Sequence, residues 1–341
     1  MVMGSIERGA KVFRVEDIPL VGCIAFGLID RGTNLIQVRP TSTCPLSCVF
    51  CSTDSGPKSR GRLAEYVVSL DCLVEEFRRL ASVKGGGVEA HIDTVGDPLT
   101  YPWIVELVSE LRGVKGVDVV SMQTHGSLLN EKLLDDLSSA GLSRINLSID
   151  AMDAELARRL SDTEWYDVKR VAELAKYIVD NTSIDLLVAP VWVPNLNDQE
   201  IPRIIEFALS IGAGKKWPPL GVQKYEAHKR GRKPRGARPL SWQKFYAELK
   251  EWEEEFKVKL RLSPEDFLIK KASSLPIPYK RFERVSVRVV GPGWLKGEKL
   301  AVTSRGDRVL TLVGADHIPV GASLKARILV NKHNIYVAEP V

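Results

Sequence analysis

The chain has 341 residues, enough to bury the cores of one large and one small domain. Its composition, 44% hydrophobic and 27% charged, is that of a globular protein, and no apolar stretch approaches the roughly 18 residues of a membrane span. The net charge is only +5, but residues 224–238 and 279–341 each carry an excess of six positive charges, which suits a polyanionic partner or, alternatively, a solvated surface.

The N-terminal extension, residues 1–33, begins without the continuous apolar segment of a signal peptide. We therefore expect a cytoplasmic protein with no membrane partner. From residue 34 to about residue 256, six strand-like runs alternate with amphipathic segments of helical length, such as 64–83 and 167–180. This alternation predicts a parallel sheet with right-handed crossovers. The predicted strands are 34–39, 88–95, 117–123, 144–150, 184–190 and 220–225.

Polar and apolar residues alternate along these strands. In the second strand, for example, Glu89, His91 and Asp93 share one face. Because the crossover helices must cover the apolar faces, we expect the polar faces to point together into the lumen of a curved sheet. A half-exposed sheet is the alternative, but helices on one face alone are unusual for parallel sheets. Burying so many polar groups is costly unless they meet water, each other or a ligand, so the lumen is a predicted functional cavity.

The pattern changes after about residue 256. Residues 273–283 contain two prolines and are typical of a linker. The last sixty residues form five short apolar runs separated by turn residues, which predicts a small all-β barrel. The sequence therefore predicts a barrel domain at 34–262 with a basic loop at 224–238, a linker at 263–280 and a β-barrel at 281–341.

Three of the five cysteines lie within eight residues, with the spacing Cys44-x₃-Cys48-x₂-Cys51. Pro45 and the lack of apolar periodicity favour a loop that directly follows the first predicted strand. This is the end of the strand at which α/β barrels build their active sites. Thiolates are the usual ligands of iron–sulfur clusters.

A structural zinc site is the main alternative for the three thiols. Structural zinc normally has four ligands, often from two paired Cys-x₂-Cys motifs, and the chain has no second such motif. Cys72 falls within an amphipathic segment and Cys23 within an apolar run, where a small core residue is the simpler interpretation. Three ligands without an obvious fourth point to an open coordination position.

The spacing closely resembles that of the radical S-adenosylmethionine (SAM) superfamily, in which Cys-x₃-Cys-x-aromatic-Cys follows the first strand of a partial (βα)₆ TIM-type barrel. The resemblance covers roughly residues 34–256. It implies a [4Fe-4S] cluster whose fourth iron is chelated by SAM. It also implies an electron donor such as ferredoxin or flavodoxin, and a 5′-deoxyadenosyl radical that abstracts hydrogen from the substrate.

The resemblance also implies roles for individual residues. Phe50 holds the aromatic position of the motif, near the adenine of SAM. Gly96 and Asp97 match the family's Gly-Gly-Glu stretch, with Val95 in place of the first glycine. Ser148 and Asp150 would meet the ribose or methionine end of SAM, although strand polarity and a helix N-cap are alternatives for them. The residues predicted to bind the cofactor are Phe50, Gly96, Asp97, Gln123, Ser148, Asp150 and Gln223.

Other polar residues would surround the substrate in the lumen. The predicted catalytic residues are His91, Asp93, His125 and Tyr225. A lone histidine is often only a structural residue. Two carboxylates on the same strand face as His91, and the position of His125 just past a strand end, favour the functional interpretation.

The final sixty residues resemble the TRAM domain, a small RNA-binding barrel of the OB type, through the segment 317–329. Their positive charge is that expected for phosphate contacts. Trp242 lies close to the basic loop in sequence, where its ring would stack on a base. The residues predicted to bind nucleic acid are Lys229, Arg230, Arg232, Lys233 and Arg235.

Three hypotheses remain open from the sequence. The favoured one is a radical SAM enzyme that modifies RNA, either tRNA or rRNA. The second is a radical SAM enzyme that acts on a peptide or metabolite, and the third is a non-catalytic RNA-binding protein with a metal. The order of domains resembles that of uncharacterised archaeal radical SAM proteins with a similar C-terminal domain. This resemblance implies the type of chemistry but not the substrate.

Overall fold

The structure is a computed structural model that describes residues 10–341. Residues 1–9 of the predicted N-terminal extension lie outside the described residues. The strands of the large domain are β1 (Lys11–Val15), β2 (Gly27–Asp30), β3 (Leu35–Arg39), β4 (Ala64–Val68), β5 (Val88–Ile92), β6 (Val117–Thr124), β7 (Arg144–Leu147), β8 (Asp185–Val188), β9 (Val191–Trp192) and β10 (Gln223–Lys224). Its helices are α1 (Leu70–Lys84), α2 (Ile104–Arg112), α3 (Glu131–Ser139), α4 (Ala154–Ser161), α5 (Val168–Asn181), α6 (Glu200–Ser210) and α7 (Trp242–Phe256).

A six-stranded sheet forms the centre of the large domain, in the order β2-β3-β5-β6-β7-β8. β2 is antiparallel to β3, and the other neighbours are parallel. The sheet and its crossover helices form a partial α/β barrel, as predicted. The sixth predicted strand is reduced to a bridge between Val188 and Leu220 and to the short β10, which pairs in parallel with β9.

The predicted helix over residues 64–83 is wrong in its first part. Residues 64–68 form β4, and α1 begins only at Leu70. β4 pairs in parallel with β1, which belongs to the predicted N-terminal extension. Local periodicity does not reveal this pairing because the two strands lie some fifty residues apart. The helix predicted over 167–180 is confirmed as α5.

The inner face of the sheet is polar and connected by hydrogen bonds, as the alternation predicts. Gln37 Nε2 donates to Asp93 Oδ2 at 2.7 Å, from β3 to the end of β5. Glu89 Oε1 accepts from Ser121 Oγ and from Arg144 Nη2, each at 2.6 Å. These hydrogen bonds across neighbouring strands offset part of the cost of burying the side chains, while Glu89 Oε2 and Arg144 Nη1 are buried without a partner among the described residues. The opposite face of β5, under the helices, is apolar: Val88, Ala90 and Ile92.

The C-terminal domain is a closed barrel of five strands in the order β11-β12-β13-β15-β14, with β14 returning to β11. All five predicted runs are confirmed as strands. β13 and β15 are parallel, and the other pairs are antiparallel. The strands are β11 (Arg284–Pro292), β12 (Glu298–Thr303), β13 (Val309–Val313), β14 (Ser323–Val330) and β15 (Val337–Pro340).

The outer face of β12 and β13 packs against the large domain, so the two domains share an apolar core. Leu300 and Val309 point away from the interior of the small barrel and are nevertheless fully buried. Val309 N donates to Val21 O at 3.2 Å, and Tyr336 N donates to Gly22 O at 2.8 Å. Gly22 has φ +136°, and a Cβ there would lie 1.9 Å from Val309 O, so only glycine permits this contact.

The segment predicted as a linker is also fixed against the large domain, since Leu275 N donates to Asp30 Oδ2 at 2.9 Å. Within residues 10–341, no helix is long and apolar enough to cross a membrane.

Candidate functional site

A cavity of about 280 Å³ opens at the carboxyl ends of the parallel strands. Loops after β3, β5 and β6, the residue after β7, and β10 form its wall, which is the usual place for the active site of an α/β barrel. Twelve of the predicted metal, cofactor and catalytic residues line it, namely Cys44, Cys48 and ten others. These ten are Phe50, Cys51, Asp93, Gly96, Asp97, Gln123, His125, Ser148, Gln223 and Tyr225.

The three cysteines lie on one loop, residues 41–55, which we call the cysteine loop. All three are free thiols; Cys48 is buried, and Cys44 and Cys51 are half-buried. The Sγ atom of Cys51 accepts a hydrogen bond from Ser55 N at 3.2 Å and lies 3.4 Å from Thr53 Oγ1. The loop thus directs its sulfurs into the cavity and supplies hydrogen-bond donors to one of them.

Burial and mutual proximity disfavour ionisation of the thiols in the cysteine loop. Burial raises the pKa of Cys44 to about 12, and burial together with the neighbouring Cys44 raises the pKa of Cys48 well above its ordinary value. A bound cluster would supply the positive charge that stabilises thiolates at these positions. Three soft sulfur ligands without a fourth match a cluster with one open iron. Across residues 10–341, no three His, Cys, Asp or Glu side chains are grouped to hold a single metal ion.

Arg62 holds the cysteine loop in place, a role that the sequence analysis did not identify. Its guanidinium is fully buried and donates to Ser42 O at 2.8 Å, Thr53 O at 3.2 Å and Val95 O at 2.5 Å. It also pairs with Glu65 at 2.9 Å. One arginine thereby connects the cysteine loop, β4 and the loop after β5.

The small barrel covers this arginine. The guanidinium carbon of Arg62 lies 4.6 Å from the ring centroid of Trp294, which belongs to the turn between β11 and β12. The backbone of the same turn pairs with the large domain, since Leu63 N donates to Trp294 O at 2.9 Å. The C-terminal barrel therefore stabilises the cysteine loop from behind.

Arg232 is also directed at the cysteine loop, which differs from its predicted role in binding nucleic acid. Its side chain pairs with Asp54 at 2.9 Å and donates to Cys48 O at 3.1 Å and to Ser55 O at 2.6 Å. Its backbone N donates to Cys51 O at 2.8 Å. The basic loop thus packs directly on the cysteine loop and closes one side of the cavity.

The other basic-loop residues differ in their availability. Arg230 pairs with the buried carboxylate of Glu298 in the C-terminal barrel, while keeping 56% of its side chain exposed. Lys229, Lys233 and Arg235 are exposed on the outer side of the loop. Three of the five predicted nucleic-acid contacts are therefore free to meet a partner.

The loop after β5 packs tightly on the cysteine loop through Gly96, where a Cβ would lie 2.0 Å from Thr43 O. Asp97 is buried, and its carboxylate accepts from Leu99 N at 3.0 Å, Thr124 Oγ1 at 2.9 Å and His125 N at 3.1 Å. These hydrogen bonds within the protein connect the loops after β5 and β6. The geometry makes Asp97 a positioning residue for His125.

Two polar pairs mark the ends of β6 and β7. Gln123 Nε2 donates to Ser148 Oγ at 2.8 Å, and both side chains line the cavity. Asp150 lies behind the wall: its Oδ1 accepts from Val191 N at 2.8 Å, and its Oδ2 is 3.7 Å from His125 Nδ1. His125 in turn places Nε2 3.9 Å from Cys48 Sγ. Asp150 therefore orients His125 and does not line the cavity itself.

His91 lies deeper in the lumen than predicted and does not line the cavity. Its Nδ1 is 2.7 Å from Ser121 Oγ, and burial lowers its pKa, so the ring is neutral. Asp93, two residues further along the strand, does line the cavity and is held by Gln37 and, at 3.7 Å, by Arg39.

A second cavity of about 400 Å³ adjoins the first and shares Gln123, Gln223 and Lys224 with it. Aromatic side chains of α7 form one side, including the exposed Trp242 and Tyr246, whose rings stack at 5.7 Å. The Nζ atom of Lys224 lies 4.8 Å from the Trp242 ring centroid. The sequence does not distinguish Lys224 from the other six lysines and arginines of residues 224–238.

Comparison with known proteins agrees with this geometry. Residues 38–208 match the radical SAM superfamily. An uncharacterized protein of Methanocaldococcus jannaschii is 42% identical over 98% of this chain and 82% of its own length. The GTP 3′,8-cyclase of Agrobacterium fabrum is 31% identical over 60% of this chain, which spans about half (55%) of that enzyme. SuiB of Streptococcus suis shares the fold over 71% of this chain and 50% of its own, at a TM-score of 0.51 and 17% identity.

The chain therefore belongs to the radical SAM superfamily and is a radical SAM enzyme, which excludes the non-catalytic alternative. The cofactors of this family are a [4Fe-4S] cluster and SAM. The three free thiols at the head of the cavity fit the cluster, and the polar wall beside them fits SAM.

Proposed function

We propose that this radical SAM enzyme modifies RNA, with tRNA or rRNA as its substrate. The observation that supports the proposal most is that one chain contains both a cavity lined by three cysteines and a closed five-stranded barrel. The strand order of the barrel, with a parallel pair between its third and fifth strands, agrees with the OB type, a common oligonucleotide-binding fold. A TRAM-like role for this barrel is part of the proposal.

The cofactor site is built from residues that line the first cavity. Cys44, Cys48 and Cys51 would each bind one iron of the cluster. When bound, the reduced cluster supplies the electron that cleaves SAM and yields a 5′-deoxyadenosyl radical. Gln123 and Ser148 orient each other and present amide and hydroxyl groups to SAM. Phe50, Gly96 and Gln223 complete the wall.

The substrate groups would be bound where the two cavities meet. Lys224 holds an ammonium group at this junction; its side chain is 5% exposed and paired with Glu226 at 2.5 Å, so a phosphate of the substrate would replace the Glu226 carboxylate as its partner. The stacked rings of Trp242 and Tyr246 offer a face for a nucleobase. Burial raises the pKa of Tyr225, whose hydroxyl donates to Arg232 O at 3.5 Å.

Asp93, His125 and Tyr225 remain the proposed catalytic residues because they line the cavity. His91 is a proposed positioning residue instead, since with Ser121 and Glu89 it joins β5 to β6 beneath the cavity. Lys229, Lys233 and Arg235 extend the RNA contact beyond the mouth of the cavity. A small redox protein such as ferredoxin or flavodoxin is the proposed electron donor, and the reducing cytoplasm is the proposed compartment.

A second candidate substrate is a free nucleotide. The observation in its favour is the likeness to GTP 3′,8-cyclases, which covers 60% of this chain. The same stacking face and the same lysine would bind a nucleoside triphosphate.

Anaerobic reconstitution followed by chemical analysis tests the proposal. The wild-type chain should hold about four iron and four sulfide and cleave SAM with dithionite, whereas Cys48→Ala should do neither. Unlabelled tRNA, rRNA and GTP are then added in separate reactions, and each is examined for a change in mass. A mass change in RNA supports the proposal, one in GTP alone supports the second candidate, and a zinc-loaded protein without SAM cleavage would contradict both.

A further inference from the structure

The usual nucleic-acid surface of an OB-type barrel is buried in this protein. In such barrels, oligonucleotides bind to the face of strands two and three and to the loops between strands one and two and between four and five. Here that face, on β12 and β13, packs against the segment around Val21 and Gly22. The loop between strands one and two carries Trp294, whose ring covers Arg62. In the loop between strands four and five, Tyr336 N donates a hydrogen bond to Gly22 O.

The opposite side of the barrel presents a basic surface. The outward residues of β11 and β14 form neighbouring pairs: Arg284 with Arg327, Ser286 with Lys325, and Arg288 with Ser323. All four cations are exposed. We call them, together with the serines between them, the β11–β14 surface.

Most of the charge on this surface is not neutralised by the protein. Arg327 pairs with Glu339, but in the described part of the chain Arg284, Arg288 and Lys325 have no carboxylate within ion-pair distance. Lys325 Nζ donates to Ser286 Oγ at 2.7 Å, which holds a cation beside a hydroxyl group.

A groove of about 730 Å³ runs beside these cations. Arg288 and Lys325 line it, and among residues 10–341 Asp17 is the single carboxylate that does. Four hydroxyl groups also line it, and hydroxyls and cations are the side-chain groups that contact phosphate oxygens most often. These four are Ser286, Thr303, Ser304 and Ser323; the Thr303 hydroxyl is buried and donates to Asp307 Oδ1 at 2.7 Å, so the three serines are the ones that can meet a ligand.

An exposed aromatic ring adjoins the surface. Phe282, two residues before β11, exposes 59% of its area and adopts φ +69°, a backbone conformation that is unfavourable for a bulky residue. The guanidinium carbon of Arg281 lies 4.6 Å from its ring centroid, while Nε of the same arginine donates to Leu329 O of β14 at 3.1 Å. A flat ring presented beside phosphate-binding groups is a stacking site for a base.

We infer that the β11–β14 surface, and not the usual OB face, binds the phosphate backbone of the RNA substrate, with Phe282 stacking on an unpaired base. This inference rests on the proposed function and deepens it by naming the surface. The recognition is electrostatic and independent of sequence, because the residues that carry it contact phosphates. The large domain would then select the nucleotide that enters the cavity.

The test uses the full-length holoprotein and tRNA, with affinity measured as a function of salt. The variant replaces Arg284, Arg288 and Lys325 by alanine. Loss of three phosphate contacts should weaken RNA binding by about tenfold or more. It should also reduce the slope of the logarithm of the association constant against the logarithm of the salt concentration by about 2. Charge-retaining Arg284→Lys and Arg288→Lys should bind within about threefold of wild type, which separates charge from folding.

The control removes three exposed lysines from the large domain, Lys115, Lys176 and Lys250, of which Lys250 lies 3.7 Å from Glu254. It should leave affinity and salt slope unchanged. If the alanine variant binds as wild type does, the surface is refuted while the proposed RNA substrate stands. If the wild-type chain binds neither tRNA nor rRNA, the RNA substrate and the surface are both refuted. Equal competition by polyglutamate would also refute phosphate recognition.

Discussion

The two basic regions of this chain look alike in sequence and have different places in the structure. Residues 224–238 and residues 279–341 each carry six excess positive charges. In the first region, Arg232 turns inward to the cysteine loop, and Arg230 pairs with the C-terminal barrel. On the β11–β14 surface, Arg284 and Arg288 point to solvent, without an ion-pair partner among residues 10–341.

The comparison shows that basic residues close together in sequence can have different structural roles. A guanidinium has five donors in a planar fork, so one buried arginine can hold several carbonyl groups of a loop at once. Arg232 does this from the cavity side, and Arg62 does it from the side of the small barrel. Lys229, Lys233 and Arg235 of the basic loop remain exposed.

The largest effect is expected at Arg62. Arg62→Ala leaves Glu65 buried without its partner and releases the cysteine loop, so the free energy of unfolding should fall by about 3–5 kcal/mol. Urea unfolding of the anaerobic protein measures it, and iron content should fall in parallel. The control is Arg79→Ala, which breaks an exposed pair of the same spacing with Glu76 and should cost about 0.5 kcal/mol or less. Equal losses in the two variants would contradict this account of Arg62.

A smaller effect is expected at Arg232. Arg232→Ala removes the cation paired with Asp54 and the donor to Ser55 O, although Asp54 Oδ2 keeps three other donors, so the variant should cost about 1–3 kcal/mol and make the cluster more labile to a chelator. Its exposed neighbour Lys233 provides the control, and Lys233→Ala should leave both quantities unchanged. If instead Arg232→Ala kept its iron and lost only RNA affinity, the sequence-based assignment of Arg232 to RNA would be correct.

The smallest effect on stability is expected for the exposed part of the basic loop. Replacing Lys229, Lys233 and Arg235 together by alanine should change the free energy of unfolding by about 0.5 kcal/mol or less. RNA affinity should fall by roughly three- to tenfold, with a shallower salt dependence. Unchanged RNA binding would remove the loop from the proposed interface and leave the β11–β14 surface as its main part.

Sequence patterns predict those features of the structure whose physical cause is local. Alternation of polar and apolar residues predicts the strands and the polar lumen, because side chains of a strand point to opposite faces. The spacing of Cys44, Cys48 and Cys51 after the first predicted strand predicts their loop. The five short C-terminal runs predict the small barrel for the same local reason.

Long-range contacts account for what the sequence did not reveal. The pattern of residues 64–68 predicts helix where β4 forms, because the strand partner of β4, β1, lies far away in sequence. Arg62 and Asp97 owe their roles to contacts with loops from other parts of the chain. His91 was expected at the cavity, but strand alternation fixes which face a side chain takes and not its depth along the lumen.

The central claim is that the cysteine cavity modifies RNA. It is tested most directly by mass spectrometry of nucleosides from the tRNA and rRNA of a deletion strain complemented with wild type or with Cys48→Ala. The account predicts that one modified nucleoside disappears on deletion, returns with the wild-type gene and does not return with Cys48→Ala. Identical nucleosides in all of these strains would contradict it.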